Sequence, residues 1–314
     1  MEISVIGASG KIGSQLSFLL AREKYIRNIN LVAREKSLNM LEGIKMDIYD
    51  ALAASGRDAE IKIHSDTEIE NLCNSDMIIV TSGAKRNGNM SRLDLAKTNA
   101  KIIKNYSREI AKHCDTKIFM VSNPVDVMTY KALMESGYDK SKVFGLGTHL
   151  DSMRFKVAIA KFFDVHIDDV RARIVGEHGD SMVPLISSAA IGGIPVRRLP
   201  SYEDFPYYDI LNSIKTHGKR INGLKNGSEY GPASAIVNIV KCMANNDRRL
   251  LTLSTFLEDE IEGIEGNACV GVPVKVGRKG IEEVIPIKME DWEYQSFKKS
   301  VDVLRDYCKS VADI

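Results

Sequence analysis

Four short segments carry side chains whose types and spacing suit work on a small molecule. In Gly176-Glu177-His178-Gly179-Asp180 a histidine stands between glycines just past an apolar run. A histidine so placed faces a cleft, and an imidazole with a pKa of about 6.5 can both take and return a proton. Gly147-Thr148-His149-Leu150-Asp151-Ser152-Met153-Arg154-Phe155 sets Asp151 and Arg154 three apart, on one face of a helix. Val121-Ser122-Asn123-Pro124-Val125-Asp126 closes another apolar run. There Asn123 can donate and accept at once, and Pro124 suits the first turn of a following helix. Arg86-Asn87-Gly88-Asn89-Met90-Ser91-Arg92, after the turn Ser82-Gly83, is a loop with arginines six apart. Each segment alone has a plainer structural reading: a packed histidine, a solvated ion pair, a helix cap at Asn123, a surface loop.

The elements that must position these groups begin at residue 2. Glu2-Ile3-Ser4-Val5-Ile6 reads as a buried parallel strand and runs into Gly7-Ala8-Ser9-Gly10-Lys11-Ile12-Gly13. Gly7 permits the tight turn, Gly10 lets a pyrophosphate approach the backbone, and Gly13 lets the next helix pack close. The free N–H groups and dipole of that helix start favour phosphates. The spacing is a variant of the dinucleotide fingerprint. A P-loop is set aside, because Ile12 follows Lys11 where Ser or Thr is needed, and position 5 is not glycine.

The first half alternates strand-like runs (Ile3–Ile6, Ile29–Ala33, Ile61–Ile63, Met77–Thr81, Lys117–Ser122, Val143–Gly145) with helical stretches (Ser14–Arg22, Ser37–Ala53, Leu93–His113, Val125–Ser136). Alternation of this kind predicts an α/β fold, a Rossmann-type doubly wound parallel sheet with ligands at the strands' carboxyl ends. Past about residue 150 the pattern becomes mixed α+β. Leu150–Phe163 reads as a helix and Ala172–Val175 as a strand. Val272–Val276 and Ile281–Ile287 read as a hairpin around Arg278-Lys279-Gly280. Phe297, Val301, Leu304, Cys308 and Val311 form one stripe of an amphipathic helix. The expected division is a dinucleotide-binding domain over 1–147 and a substrate domain over 148–314.

With 43 basic and 42 acidic residues among 314, the charge balance points to no nucleic-acid or membrane-surface partner. No apolar run is long enough to span a bilayer. Five scattered cysteines read as reduced thiols of a cytoplasmic protein, and no metal site is expected.

Taken together, the glycine turn and the segments Ser122-Asn123-Pro124-Val125-Asp126, Leu150-Asp151-Ser152-x-Arg154-Phe155 and Gly176-Glu177-His178-Gly179-Asp180 resemble the lactate/malate dehydrogenase family over essentially the whole chain. The Gly-Ala-Ser-Gly opening is most like its methanogen-type malate dehydrogenases. The resemblance implies hydride transfer between a nicotinamide and a 2-hydroxy or 2-oxo acid. It implies His178 as acid/base, Asp151 as its partner, Arg154 on the C1 carboxylate, Arg92 on the reacting oxygen, and Asn123 supporting that oxygen and the nicotinamide ribose. It makes Arg86 the reader of a second carboxylate, so a dicarboxylate, malate or oxaloacetate, is expected. L-Lactate or a broad range of 2-hydroxy acids is the alternative, and a catalytically silent nucleotide sensor the rival from another class. Lys85 departs from the proline common in malate enzymes.

On the cofactor side the resemblance implies Gly7, Ala8, Ser9, Gly10, Lys11, Ile12 and Gly13, with Ser82, Gly83, Asn99, Val121, Ser122 and Asn123. The ribose-binding acid expected at the end of the second strand is replaced by Ala33. Arg34, Lys36 and Ser37 follow within reach of a 2′-phosphate, so NADP is expected as preferred cofactor, with NAD also used. Glu35 argues the other way, because turned inward it would serve the ribose. A homodimer or homotetramer is expected.

Overall fold

The computed structural model describes residues 1–84 and 91–314, and of Arg92 the backbone alone. The apolar runs of the first half form β1 (Glu2–Ile6), β2 (Asn28–Ala33), β3 (Glu60–Ser65), β4 (Met77–Val80), β5 (Lys117–Met120) and β6 (Val143–Gly145). All six are parallel, in the order β3-β2-β1-β4-β5-β6. Parallel neighbours need crossovers; α1 (Lys11–Ala21), α2 (Leu38–Ala54), α3 (Arg92–His113) and α4 (Val125–Ser136) lie between them in the chain. Ile3, Val5 and Ile6 of β1 and Met77, Ile78 and Ile79 of β4 are fully buried, as both covered faces require. From β1 the chain winds outward to β3, then returns to place β4 on β1's other side. The carboxyl ends of β1 and β4 therefore flank the switch point, where α/β sheets bind ligands.

Boundaries move by a few residues from the sequence reading. α1 begins at Lys11 rather than Ser14, because Gly10 is its N-cap and Gly13 is helical. β5 stops at Met120, short of Ser122.

In the second half, α5 is His149–Phe163. The strand expected over Ala172–Val175 is shorter, β8 (Ile174–Val175), and a separate strand, β7 (Val170–Arg171), precedes it with other partners. β8 pairs with β9 (Val183–Pro184), while β7 pairs with β10 (Ala190–Ile191), which also pairs with β11 (Ile194–Pro195). Then come α6 (Tyr207–Lys225), α7 (Tyr230–Asn245), β12 (Arg249–Leu257), β13 (Ala268–Gly277), β14 (Gly280–Val284) and α8 (Asp291–Val311). The β13–β14 hairpin turns at Arg278-Lys279, and β14 ends at Val284 rather than Ile287. The five stripe residues of α8 are all buried.

β12, β13 and β14 are antiparallel and join the first sheet at β6 through Ser254 and Gly145. Among the described residues this makes one nine-stranded sheet, running across position 147. A separate apolar cluster under α5 includes Phe155, Ile159, Val170, Ile174 and Phe205. Among the described residues no helix is long and apolar enough to cross a membrane.

Candidate active site

The glycine turn is built as close packing demands. Gly7 has φ +89, and a Cβ there would lie 2.8 Å from the Ser82 nitrogen. A Cβ on Gly13 would lie 2.2 Å from the Gly7 carbonyl oxygen, so glycine lets α1 sit directly on the turn. A Cβ on Gly10 would meet only the Gly7 oxygen, at 3.2 Å, so the outer side of the turn is open beside the N-terminus of α1. That cradle fits a dinucleotide pyrophosphate. Lys11 Nζ reaches the Lys225 carbonyl at 2.9 Å, tying the turn to the α6–α7 junction.

Several polar groups expected on the cofactor side face inward. Buried Asn99 donates from Nδ2 to the Asn123 carbonyl (2.7 Å) and accepts at Oδ1 from the Ala84 N–H (2.7 Å). Ser122 Oγ, also buried, donates to the Ser82 carbonyl at 2.5 Å. These side chains join the loop after β4 to the loop after β5. Asn123 is exposed, and its bond to Pro124 is cis. Pro124, not Asn123, is the N-cap of α4, so the helix-cap reading of Asn123 and the placing of Pro124 inside the first turn are both corrected.

The proton-transfer groups meet through α5 and β8. Thr148 donates to the Ile174 carbonyl (2.6 Å), and Ser152 accepts from the Ile174 N–H (2.9 Å), stapling α5 to β8. Past β8, Gly176 at φ +87 lies so close to α8 that a Cβ would meet Ser300 Oγ at 2.6 Å. Ser300 also accepts from the Glu177 N–H at 2.8 Å. The loop so held returns His178 to Asp151, with Nδ1 2.5 Å from Asp151 Oδ2. Arg154 donates to the other oxygen, Oδ1, at 2.9 Å. Asp151 is fully buried, whereas the side chains of Arg154 and His178 are 15% and 28% exposed. Asp151 and Arg154 are thus paired, but inside the protein and not on a solvated face.

The Asp151 carboxylate raises the His178 pKa above its ordinary value against the opposing effect of burial. Burial alone would raise Asp151, but His178 and Arg154 outweigh it and hold the carboxyl below its ordinary range. The site therefore favours an imidazolium–carboxylate pair.

Three groups near these residues had no role in the sequence reading. Asp126, buried on α4, accepts from the His178 backbone N–H at 2.8 Å. His217 of α6 lies near enough to Arg154 and Asp151 to feel both charges. Asp66, just past β3, bonds through its N–H to the Ala33 carbonyl (2.9 Å) and accepts from the Tyr106 hydroxyl (2.7 Å). An acid thus stands beside the end of β2 although Ala33 is not one; it comes from the neighbouring strand, through register that no local motif reveals. Ala33 is buried, and Arg34, Glu35 and Lys36 are exposed around a short 3₁₀ turn at Glu35–Ser37. Arg86 and the side chain of Arg92 lie outside the described residues; the backbone of Arg92 opens α3 behind a capping box of Ser91 and Asp94.

Comparison with known proteins matches this geometry to one family. The model of the lactate/malate dehydrogenase NAD-binding domain matches residues 1–145, and that of the lactate/malate dehydrogenase alpha/beta C-terminal domain matches residues 148–314. A protein of Methanococcus maripaludis named malate dehydrogenase is 66% identical, covering 100% of both chains. A protein of Methanocaldococcus jannaschii named L-2-hydroxycarboxylate dehydrogenase (NAD(P)(+)) is 53% identical, again over 100% of both. The solved malate dehydrogenase of Picrophilus torridus superposes with a TM-score of 0.91 at 30% identity, covering 99% of this chain and 97% of that one. The chain belongs to the lactate/malate dehydrogenase family of nicotinamide-dependent oxidoreductases.

Proposed function

We propose that this chain interconverts L-malate and oxaloacetate with a nicotinamide dinucleotide. The observation that carries the reading is the buried carboxylate of Asp151, which holds an imidazole on one oxygen and a guanidinium on the other. A proton carrier and a carboxylate clamp are thereby fixed side by side. When bound, the nicotinamide supplies or accepts the hydride at the substrate carbon bearing oxygen.

The chain's own residues do the rest. His178 takes the hydroxyl proton at Nε2 during oxidation and returns it during reduction, while Asp151 fixes the tautomer through Nδ1. Arg154 keeps one nitrogen on Asp151 and offers the others to the C1 carboxylate. Arg92 polarises the carbonyl, and Asn123 supports the reacting oxygen. Arg86 reads the second carboxylate, which favours oxaloacetate over pyruvate. Residues 7–13 hold the pyrophosphate at the N-terminus of α1. Residues 1–147 act as the dinucleotide-binding unit and 148–314 as the substrate unit, in a homodimer or homotetramer. Five free thiols suit a cytoplasmic setting.

NADP(H) is the preferred cofactor in this reading. Ala33 removes an acid that would repel a 2′-phosphate, and Arg34, Lys36 and Ser37 surround its place. Asp66 tempers that preference, so NAD(H) is used as well; the dual-cofactor name of the M. jannaschii relative supports this. The same name supports the second reading, a broader 2-hydroxy acid dehydrogenase.

Initial rates with oxaloacetate and pyruvate, each against NADPH and NADH, test all of this. Faster kcat/KM with oxaloacetate and NADPH is expected. Preference for pyruvate overturns the role of Arg86, and preference for NADH overturns that of Arg34, Lys36 and Ser37.

A further inference from the structure

We propose that Asp126 is a positioning residue for proton transfer: its buried carboxylate holds the backbone of His178 and stands as a second anion behind the imidazole. The inference rests on the catalytic role of His178 proposed above.

Asp126 lies in the first turn of α4 and is 2% exposed. Its carboxylate reaches across to the loop after β8, where Oδ2 accepts from the His178 N–H at 2.8 Å. Oδ1 is buried and has no hydrogen-bond partner among the described residues. A neutral amide oxygen would also accept the same N–H, though more weakly, so the hydrogen bond alone does not call for a charge. A buried carboxylate is costly to keep without a cation. The ionised side chain that answers it is His178, whose imidazolium Asp126 favours after the larger effect of Asp151.

Among the described residues, the other groups that act on the Asp126 carboxylate are neutral or of like charge. β12 contributes Ser254, β13 Cys269 and α8 Cys308, and Glu177 of the same loop adds a like charge. α5 contributes Asp151 and Arg154, which act on His178, and His217 of α6 feels both of them. In this setting burial pushes the Asp126 carboxyl up to about 6, against the pull of the Ser254 hydroxyl and the His178 N–H. Asp151 orients the ring through Nδ1, and Asp126 fixes the backbone from which the ring hangs.

Asp126→Asn isolates the charge, because the amide oxygen still accepts the N–H. The full-length protein free of dinucleotide would be labelled at histidine and titrated by NMR, with His178→Asn assigning the signal. The His178 pKa should fall by at least about half a pH unit. The falling limb of kcat/KM for oxaloacetate reduction should move to lower pH by the same amount. A purely structural role would lower thermal stability and rates at every pH and leave both midpoints in place; unchanged midpoints overturn the proposal. Should Asp126→Asn not fold, the amide of residue 178 in His178→Asn reports Asp126 directly. That amide should titrate with a midpoint well above the ordinary carboxyl range, and a flat response between pH 4 and 8 overturns the proposal. If the wild-type protein reduces neither oxaloacetate nor pyruvate, the functional reading fails, yet the titration in the free protein still decides the effect of Asp126 on His178.

Discussion

Arg154 and Asp151, one turn apart on α5, form an ion pair of 2.9 Å enclosed by the protein, with Asp151 wholly buried. An exposed pair at this spacing is worth little, but removing one partner of a buried pair costs about 3–5 kcal/mol. Asp151→Asn is therefore expected to lose stability in that range; separately, because an amide no longer fixes the His178 tautomer or favours its imidazolium, kcat/KM should fall by about 10³–10⁴-fold. Arg154→Lys keeps the charge but loses the planar fork, and should raise KM for oxaloacetate far more than it lowers kcat. Steady-state kinetics check both.

The raised His178 pKa sets the direction of pH dependence. Reduction needs the imidazolium, so its kcat/KM should fall as pH rises through a midpoint above the ordinary 6.5. Malate oxidation, which needs the neutral ring, should rise over the same window. Stability follows the same linkage. The contribution of His178 is full below 6.5 and is lost as pH climbs through the raised value. The Tm advantage of wild type over His178→Gln should shrink accordingly between pH 6 and 9.

Asn99→Ala removes the buried side chain that ties Ala84 to Asn123 and takes one partner from each of two part-buried backbone groups. Each such hydrogen bond contributes about 0.5–1.5 kcal/mol. Chemical denaturation should show a loss in that range or above, and dinucleotide affinity should fall with it.

Gly13→Ala sets a methyl 2.2 Å from the Gly7 oxygen, so α1 must shift off the turn. Overpacking of this kind costs about 1–3 kcal/mol, and NADPH binding should weaken with it. Gly43→Ala in α2 is the control. Its Cβ would meet nothing within 4 Å, and helix propensity predicts a gain of up to about 1 kcal/mol.

Arg34→Gln should lower the NADPH/NADH ratio of kcat/KM, and Asp66→Asn should raise it, because the two side chains set opposite charges beside the end of β2. Rates with both cofactors for each variant decide this; equal ratios in all three proteins would remove the pair from cofactor selection.

Much of the site was legible because its motifs are local. A glycine's missing Cβ, the three-residue step from Asp151 to Arg154 and a histidine between glycines all speak within one turn of chain. The apolar runs of the first half were legible for a related reason: a strand covered on both faces has no polar positions to blur it. β12 and α6 were not. Arg249–Leu257 mixes apolar and polar residues, and α6 buries only Ile214, so neither carries a clear period.

The amino-acid sequence alone determined the family, the parallel α/β half and which side chains could move a proton or grip a carboxylate. Only the tertiary structure decided that β12–β14 extend the same sheet, that Asn99 and Ser122 hold loops together, and that Asp126 and Asp66 stand beside His178 and Ala33. Local propensity acts between near neighbours, whereas these relationships join residues tens of positions apart. They exist only once strand register and the packing of α4, α5 and α8 have brought those residues together.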